Sequence, residues 1–174
     1  LSTATIRPMR RGEIPLALDW AAAEGWNPGL ADADCFNAAD PEGFLVAELD
    51  GVPVGCVSAV RTGEDFGFIG FYIVRPAHRG AGHGIALWRA AMARLAGRTV
   101  GLDGVVAQQA NYRRSGFALA HRNVRYGAPA PRPPAIADGP GVVAAADVPF
   151  EAVAALDRRV FPVARDGFLR GWLA

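Results

Sequence analysis

The densest chemistry in this chain lies in twelve consecutive residues, Val74-Arg75-Pro76-Ala77-His78-Arg79-Gly80-Ala81-Gly82-His83-Gly84-Ile85. An apolar run ends at Val74, Pro76 enforces a turn, and three glycines lead into a helix-forming stretch. The first amides of a helix have no intrahelical partner and carry about half a positive charge between them. Glycines let a ligand approach that backbone closely. The arrangement suits a phosphate or diphosphate, and Arg79 can add a charge-assisted hydrogen bond. The same residues also suit a glycine-rich turn that serves only strand–helix packing. His83 is expected to point to solvent or to a ligand phosphate rather than act as a base. A dinucleotide fold competes for this segment, since it wants G-x-G-x-x-G directly after a strand and an acid about 20 residues on. Asp103 lies 19 residues past Gly84, but the third glycine comes one position early, and five residues separate Val74 from Gly80.

The elements that must hold this segment follow from periodicity. Residues 4–9 read as a short strand. Residues 12–24 read as a helix, with Pro15 in its first turn and Ile14, Leu18 and Ala21 or Ala22 on one face. Glu24-Gly25-Trp26-Asn27-Pro28-Gly29 must break it, and a short helix from Leu30 to Ala38 follows. Phe44–Leu49 and Val52–Val60 flank Asp50-Gly51, a hairpin signal. Phe66–Val74 is apolar on both faces and should be a central strand. Gly82–Leu95 reads as a helix with Ile85, Trp88, Met92 and Leu95 in one stripe. Thr99–Asp103 should be a buried strand, Ala107–Arg114 a helix ended by Gly116, and Phe117–Tyr126 a last strand. This order predicts a mixed α/β sheet.

Residues 128–140 carry five of the 13 prolines, which predicts a semi-rigid linker and a boundary. Beyond it, Phe150–Val160 and Arg165–Leu173 read as helices, with Val153, Leu156 and Val160 in one stripe and Phe168, Leu169 and Trp172 in another. About 34 residues are too few for their own core. These helices therefore either dock on the first domain or open a second one that the chain does not complete; the second is the expectation.

Composition excludes several classes. The 174 residues are 51% apolar and 20% charged, with a net charge of +1. That supports a packed core and gives no global electrostatic reason to expect nucleic acid or a membrane as partner. No apolar run approaches the roughly 20 residues of a membrane span. Cys35 and Cys56 form no C-x-x-C, so neither a disulfide framework nor a thiolate metal site is expected. The expectation is a soluble, cytoplasmic protein without a metal. All 18 basic residues are Arg, which removes the lysine of a Walker-A loop or a Schiff base. No H-E-x-x-H or G-x-S-x-G occurs.

Arg79-Gly80-Ala81-Gly82-His83-Gly84 resembles the R/Q-x-x-G-x-G/A signature of the GNAT superfamily of acetyl-CoA-dependent N-acetyltransferases. Tyr112-Arg113-Arg114-Ser115-Gly116-Phe117 is similar to that superfamily's Y-x-x-x-G-F element, in the right order and place. The resemblance covers about residues 4–127 and implies an acetyltransferase domain over 1–127. Its sheet would be central, mixed and mostly antiparallel, with helices on both faces. Residues 141–174, with Phe161-Pro162 and Phe168-Leu169-Arg170-Gly171-Trp172, resemble the start of the extra C-terminal half that one subgroup carries.

The resemblance implies transfer of acetyl from acetyl-CoA to a small-molecule or peptide primary amine in a ternary complex; the oligomeric state stays open, a homodimer being one option. Main chain of Tyr72, Ile73 and Val74 would pair with the pantetheine arm. The amides of Arg79, Gly80, Ala81, Gly82, His83 and Gly84 would hold the diphosphate. Tyr112 would be the general acid, since a phenol near pKa 10 can protonate a leaving thiolate near 8.5. Trp26 and Asn27 would line the acceptor pocket. Glu24 in the acceptor-site loop, Asp103 at the end of a strand expected to be buried, where desolvation raises a carboxyl pKa, Glu64 in a solvated turn, or a water chain would take the amine's proton. No Cys stands where an acyl-enzyme needs one. The alternatives are a catalytically silent acyl-CoA sensor or scaffold and the dinucleotide-binding protein.

Overall fold

The computed structural model describes residues 4–29, 31–124, 141 and 143–174. They form two compact units, residues 1–103 with 149–174 and residues 104–148. The larger unit is built on a five-stranded sheet in the order β1 (Thr5–Pro8), β2 (Phe44–Leu49), β3 (Val52–Thr62), β4 (Phe66–Val74) and β5 (Thr99–Leu102). The first four strands run antiparallel and β5 runs parallel to β4. The β2–β3 hairpin turns through Asp50 (φ 51°) and Gly51 (φ 77°), two residue types that tolerate positive φ. α3 (His83–Arg94) links the parallel pair, as such a connection requires.

Helices cover both faces of the sheet. α1 (Ile14–Ala23) buries Ile14, Ala17 and Ala21 against Phe44, Val46, Cys56 and Ile73, and α2 (Asp32–Ala39) brings Phe36 to the same cluster. Neighbouring strand residues face opposite ways, so Gly55, beside Cys56, faces α3. A Cβ on Gly55 would lie 3.1 Å from Leu87, and one on Gly67 would lie 2.6 Å from Leu95. These two glycines let α3 lie close on the sheet. Its buried face is Leu87, Trp88, Ala91 and Leu95, while Ile85 is 50% exposed. The expected stripe through Ile85 and Met92 is thus rotated, because Leu87 and Leu95 seat over the two sheet glycines.

Two further expectations give way. β5 is not buried: Thr99 is exposed and the rest only half-buried, because among the described residues only β4 lies beside it. The strand expected over Phe117–Tyr126 is absent from the described residues 117–124, which run exposed or half-buried without a ladder, and 125–126 lie outside them. The smaller unit instead carries α4 (Gln109–Arg114). The linker expected over 128–140 lies outside the described residues.

α5 (Phe150–Val160) and α6 (Asp166–Leu173) belong to the larger unit. Phe168 stacks 5.0 Å from Phe36, and Phe161 meets Phe66 edge-on at 5.7 Å. Arg165 grips the Asp157 carboxylate at 2.8 Å and covers the Phe161 ring at 3.9 Å. That corner turns Ala154 and Asp157 inward. The expected stripe faces out, with Leu156 60% and Val160 78% exposed. With Val153, Leu169 and Trp172 it lines an open groove of about 260 Å³.

Candidate active site

β4 changes character at its middle. From Phe66 to Ile69 it is paired on both edges, Ile69 lying opposite Leu102. β5 then ends, and Gly70–Val74 stays paired to β3 alone among the described residues. Within this half Ser58 faces Gly70 but Cys56 faces Ile73, so Val57 stands against both Phe71 and Tyr72. This is a β-bulge, which bends a strand and re-aims its edge. Phe71 takes a left-handed φ of 46°, a strained conformation for a bulky residue. The Cys56 thiol donates to the Phe71 carbonyl at 3.2 Å, and the Phe71 ring packs 5.5 Å from Phe44. The open edge offers backbone groups at peptide spacing to an extended, amide-bearing ligand. Sequence reasoning missed Cys56, Phe71 and the bulge; Gly70 in the strand interior was the available signal.

Beyond Val74 the chain makes a short 3-10 turn, Pro76–His78, and reaches the glycine corner. Gly80 (φ 80°) and Gly82 (φ 89°) supply two left-handed steps that other residues resist. The first backbone bond of α3 runs from Ala86 N to Gly82 O at 3.2 Å. The amides of His83, Gly84 and Ile85 therefore belong to the helix's open first turn. Gly84 serves a different end: a Cβ there would lie 3.0 Å from the Tyr72 hydroxyl. Tyr72, 5.6 Å from Trp88, thus leans over the first turn of α3. Ile73, between Tyr72 and Val74, points into the core. Ala81 is exposed. His83 departs from expectation, since it is buried, with its ring 6.4 Å from that of His78. Helical side chains tilt toward the N-terminus, which turns this ring back over the loop.

The expected roles of Arg79 and Glu24 meet in one contact. Arg79 Nε donates to the Val74 carbonyl at 2.8 Å, and its Nη2 donates to Glu24 Oε1. Glu24 caps the C-terminus of α1. Gly25 (φ 78°) then lets Gly25 N bond Ala22 O and Trp26 N bond Ala21 O, each at 2.9 Å, which is a Schellman ending. Trp26 follows 39% exposed, with Asn27 exposed beside it. Asp103 comes directly after β5, at the point where its ladder with β4 ends. It is exposed rather than buried, for the same reason that β5 is an edge. Glu64 is exposed in its turn.

In the smaller unit, Tyr112 lies on α4. Gly116 (φ 91°) ends that helix, with Gly116 N bonded to Arg113 O at 3.0 Å and Phe117 N to Tyr112 O at 3.1 Å. The Tyr-x-x-x-Gly-Phe spacing is therefore that of a second Schellman ending, with Gly at its left-handed step. Tyr112 is half-buried, and burial pushes its phenol above the usual value of 10. Cys56 is sealed in the core and its thiol is pushed up to about 12 by burial. Among the described residues no three His, Cys, Asp or Glu side chains gather as a metal site. Among them, too, no helix is long and apolar enough to cross a membrane.

Residues 14–117 match the model of the acetyltransferase (GNAT) family. A holothin acyltransferase from Pseudoalteromonas sp. (strain SANK 73390) is 37% identical over 123 residues, 71% of this chain and 42% of that protein. The chain therefore spans less than half the length of that relative. A Pyrococcus horikoshii structure described as a putative acetyltransferase superposes with a TM-score of 0.73 at 19% identity, over 99% of this chain and 62% of that one. N-acetylglutamate synthase from Neisseria gonorrhoeae, solved with coenzyme A and L-arginine, superposes with a TM-score of 0.53 at 19% identity, over 70% of this chain and 28% of that one. With the short β4–β5 ladder, the glycine corner and a family match over most of the sheet-bearing region, the chain belongs to the GNAT acetyltransferase family.

Proposed function

We propose that this chain binds acetyl-CoA along the open half of β4 and transfers its acetyl group to a primary amine. The observation that carries the reading is the bulged, one-sided stretch Gly70–Val74 running straight into a glycine corner at the start of a 12-residue helix. The pantetheine amides pair with the main chain of Tyr72–Val74. The amides of Arg79–Gly84 hold the diphosphate. The amine nitrogen attacks the thioester carbonyl carbon, the C–S bond breaks, and the departing thiolate takes the proton of the Tyr112 phenol. The half-buried state of Tyr112 supports that role, because a raised pKa keeps the proton in place until it is needed. Asp103, where the β4–β5 ladder ends, is the carboxylate we assign to the amine's proton.

Acetyl-CoA should raise the melting temperature by mass-action linkage. Thiol release should then be screened over an amine panel that includes holothin, the substance in the relative's name. Tyr112→Phe should lower kcat by about 100-fold or more and leave the affinity for acetyl-CoA nearly unchanged. Unaltered turnover would remove Tyr112 from the mechanism. A protein that binds acetyl-CoA but releases no thiol with any amine is the silent sensor instead.

A further inference from the structure

Glu24 stands in an unfavourable place. It caps the C-terminus of α1, where the helix carbonyls already gather about half a negative charge. A carboxylate there does nothing for the helix. What it has is Arg79, which reaches it from 55 residues along the chain. The same planar guanidinium donates to the Val74 carbonyl at 2.8 Å, so one rigid group joins the end of α1 to the exit of β4. The side chains of Arg79 and Glu24 are 50% and 31% exposed, so the pair contributes little to global stability. Its effect is therefore on local geometry. After Glu24 and Gly25 come Trp26 and Asn27, the two residues that the family resemblance places at the acceptor pocket.

We infer that Arg79 is a positioning residue that ties the loop 24–29 to the open end of β4, and that Glu24 is the anchor of this tether rather than the acceptor of the amine's proton. The part concerning the acceptor rests on the acyl-transfer reading; the tether itself rests on the hydrogen bonds alone. The Glu24 carboxylate is already engaged, its Oε1 accepting from the Arg79 guanidinium. A loop held at its first residue keeps Trp26 and Asn27 at a fixed distance from the thioester strand.

Hydrogen exchange on the full chain tests the tether without any ligand. Glu24→Gln and Arg79→Gln should each speed exchange of the amides in 24–29 by about 3- to 10-fold. The double variant should be no faster than the singles, as expected of two groups acting through one contact. Unchanged exchange in both singles overturns the tether. Turnover with acetyl-CoA and the amine found by thiol release tests the assignment of Glu24. Glu24→Gln should raise the KM for that amine about 3- to 10-fold, hold kcat within about twofold, and preserve the acid limb of the kcat–pH profile. A roughly 100-fold fall in kcat with loss of that limb would make Glu24 the base and overturn the assignment. If the wild-type chain binds no acetyl-CoA, the acyl-transfer reading fails, and the exchange result still decides the tether.

Discussion

Two halves of one strand, β4, have similar apolar residues and different surroundings. Phe66–Ile69 is sealed by strands on both edges, and its Ile69 is 3% exposed. Gly70–Val74 is paired on one edge among the described residues, bent by a bulge and mostly half-buried. The first half holds the sheet together. The second half gives up a ladder partner and accepts a strained Phe71, and on the proposed function its free edge is what pairs with the pantetheine arm. Binding capacity appears where the sheet stops satisfying its own hydrogen bonds.

The contrast can be broken most forcefully at Ile69. Ile69→Ala should lower unfolding free energy by about 2–5 kcal/mol, read by urea denaturation, with the acetyl-CoA affinity of the folded fraction intact. A cost well under 1 kcal/mol would erase the difference between the halves. Next in size is Gly84→Val, whose Cβ alone would lie 3.0 Å from the Tyr72 hydroxyl before its two further methyls are placed. It should cost about 1–3 kcal/mol and, unlike Ile69→Ala, weaken acetyl-CoA binding in calorimetry. Cys56→Ala removes the thiol bond beneath the bulge and should cost about 1 kcal/mol without loss of turnover per folded molecule. Lost turnover would reopen acyl transfer through a cysteine.

The mildest test lies outside the strand, at Tyr112. Burial raises its pKa above 10, so the folded chain holds this proton more tightly than the unfolded chain does. Its contribution to stability is full below pH 10 and declines as the pH rises past that value. The alkaline fall in turnover that belongs to Tyr112 should likewise begin only above pH 10. A fall centred below pH 9 would come from another group.

Much of this was legible in the sequence. The bounds Phe66–Val74 and Phe150–Val160 coincide with β4 and α5, because unbroken apolar runs and helical stripes are local signals. Gly80 and Gly82 were readable as a corner because few other residues adopt their backbone angles. What escaped depends on partners distant in sequence. The exposure of Asp103 depends on which strands flank β5. The Arg79–Glu24 contact joins segments that share no local pattern, so each residue suggested a separate role until the fold brought them together.

The stop at the end of α4 has a consequence for tolerance to change. Its two closing bonds reach back from Gly116 and Phe117 to Arg113 and Tyr112, so the count of residues between tyrosine and glycine is set by the geometry of a helical turn. An insertion there would swing the phenol about 100° around the helix axis for each added residue. Substitutions at Arg113, Arg114 or Ser115 would leave its bearing alone. The segment can therefore drift in letter but not in length.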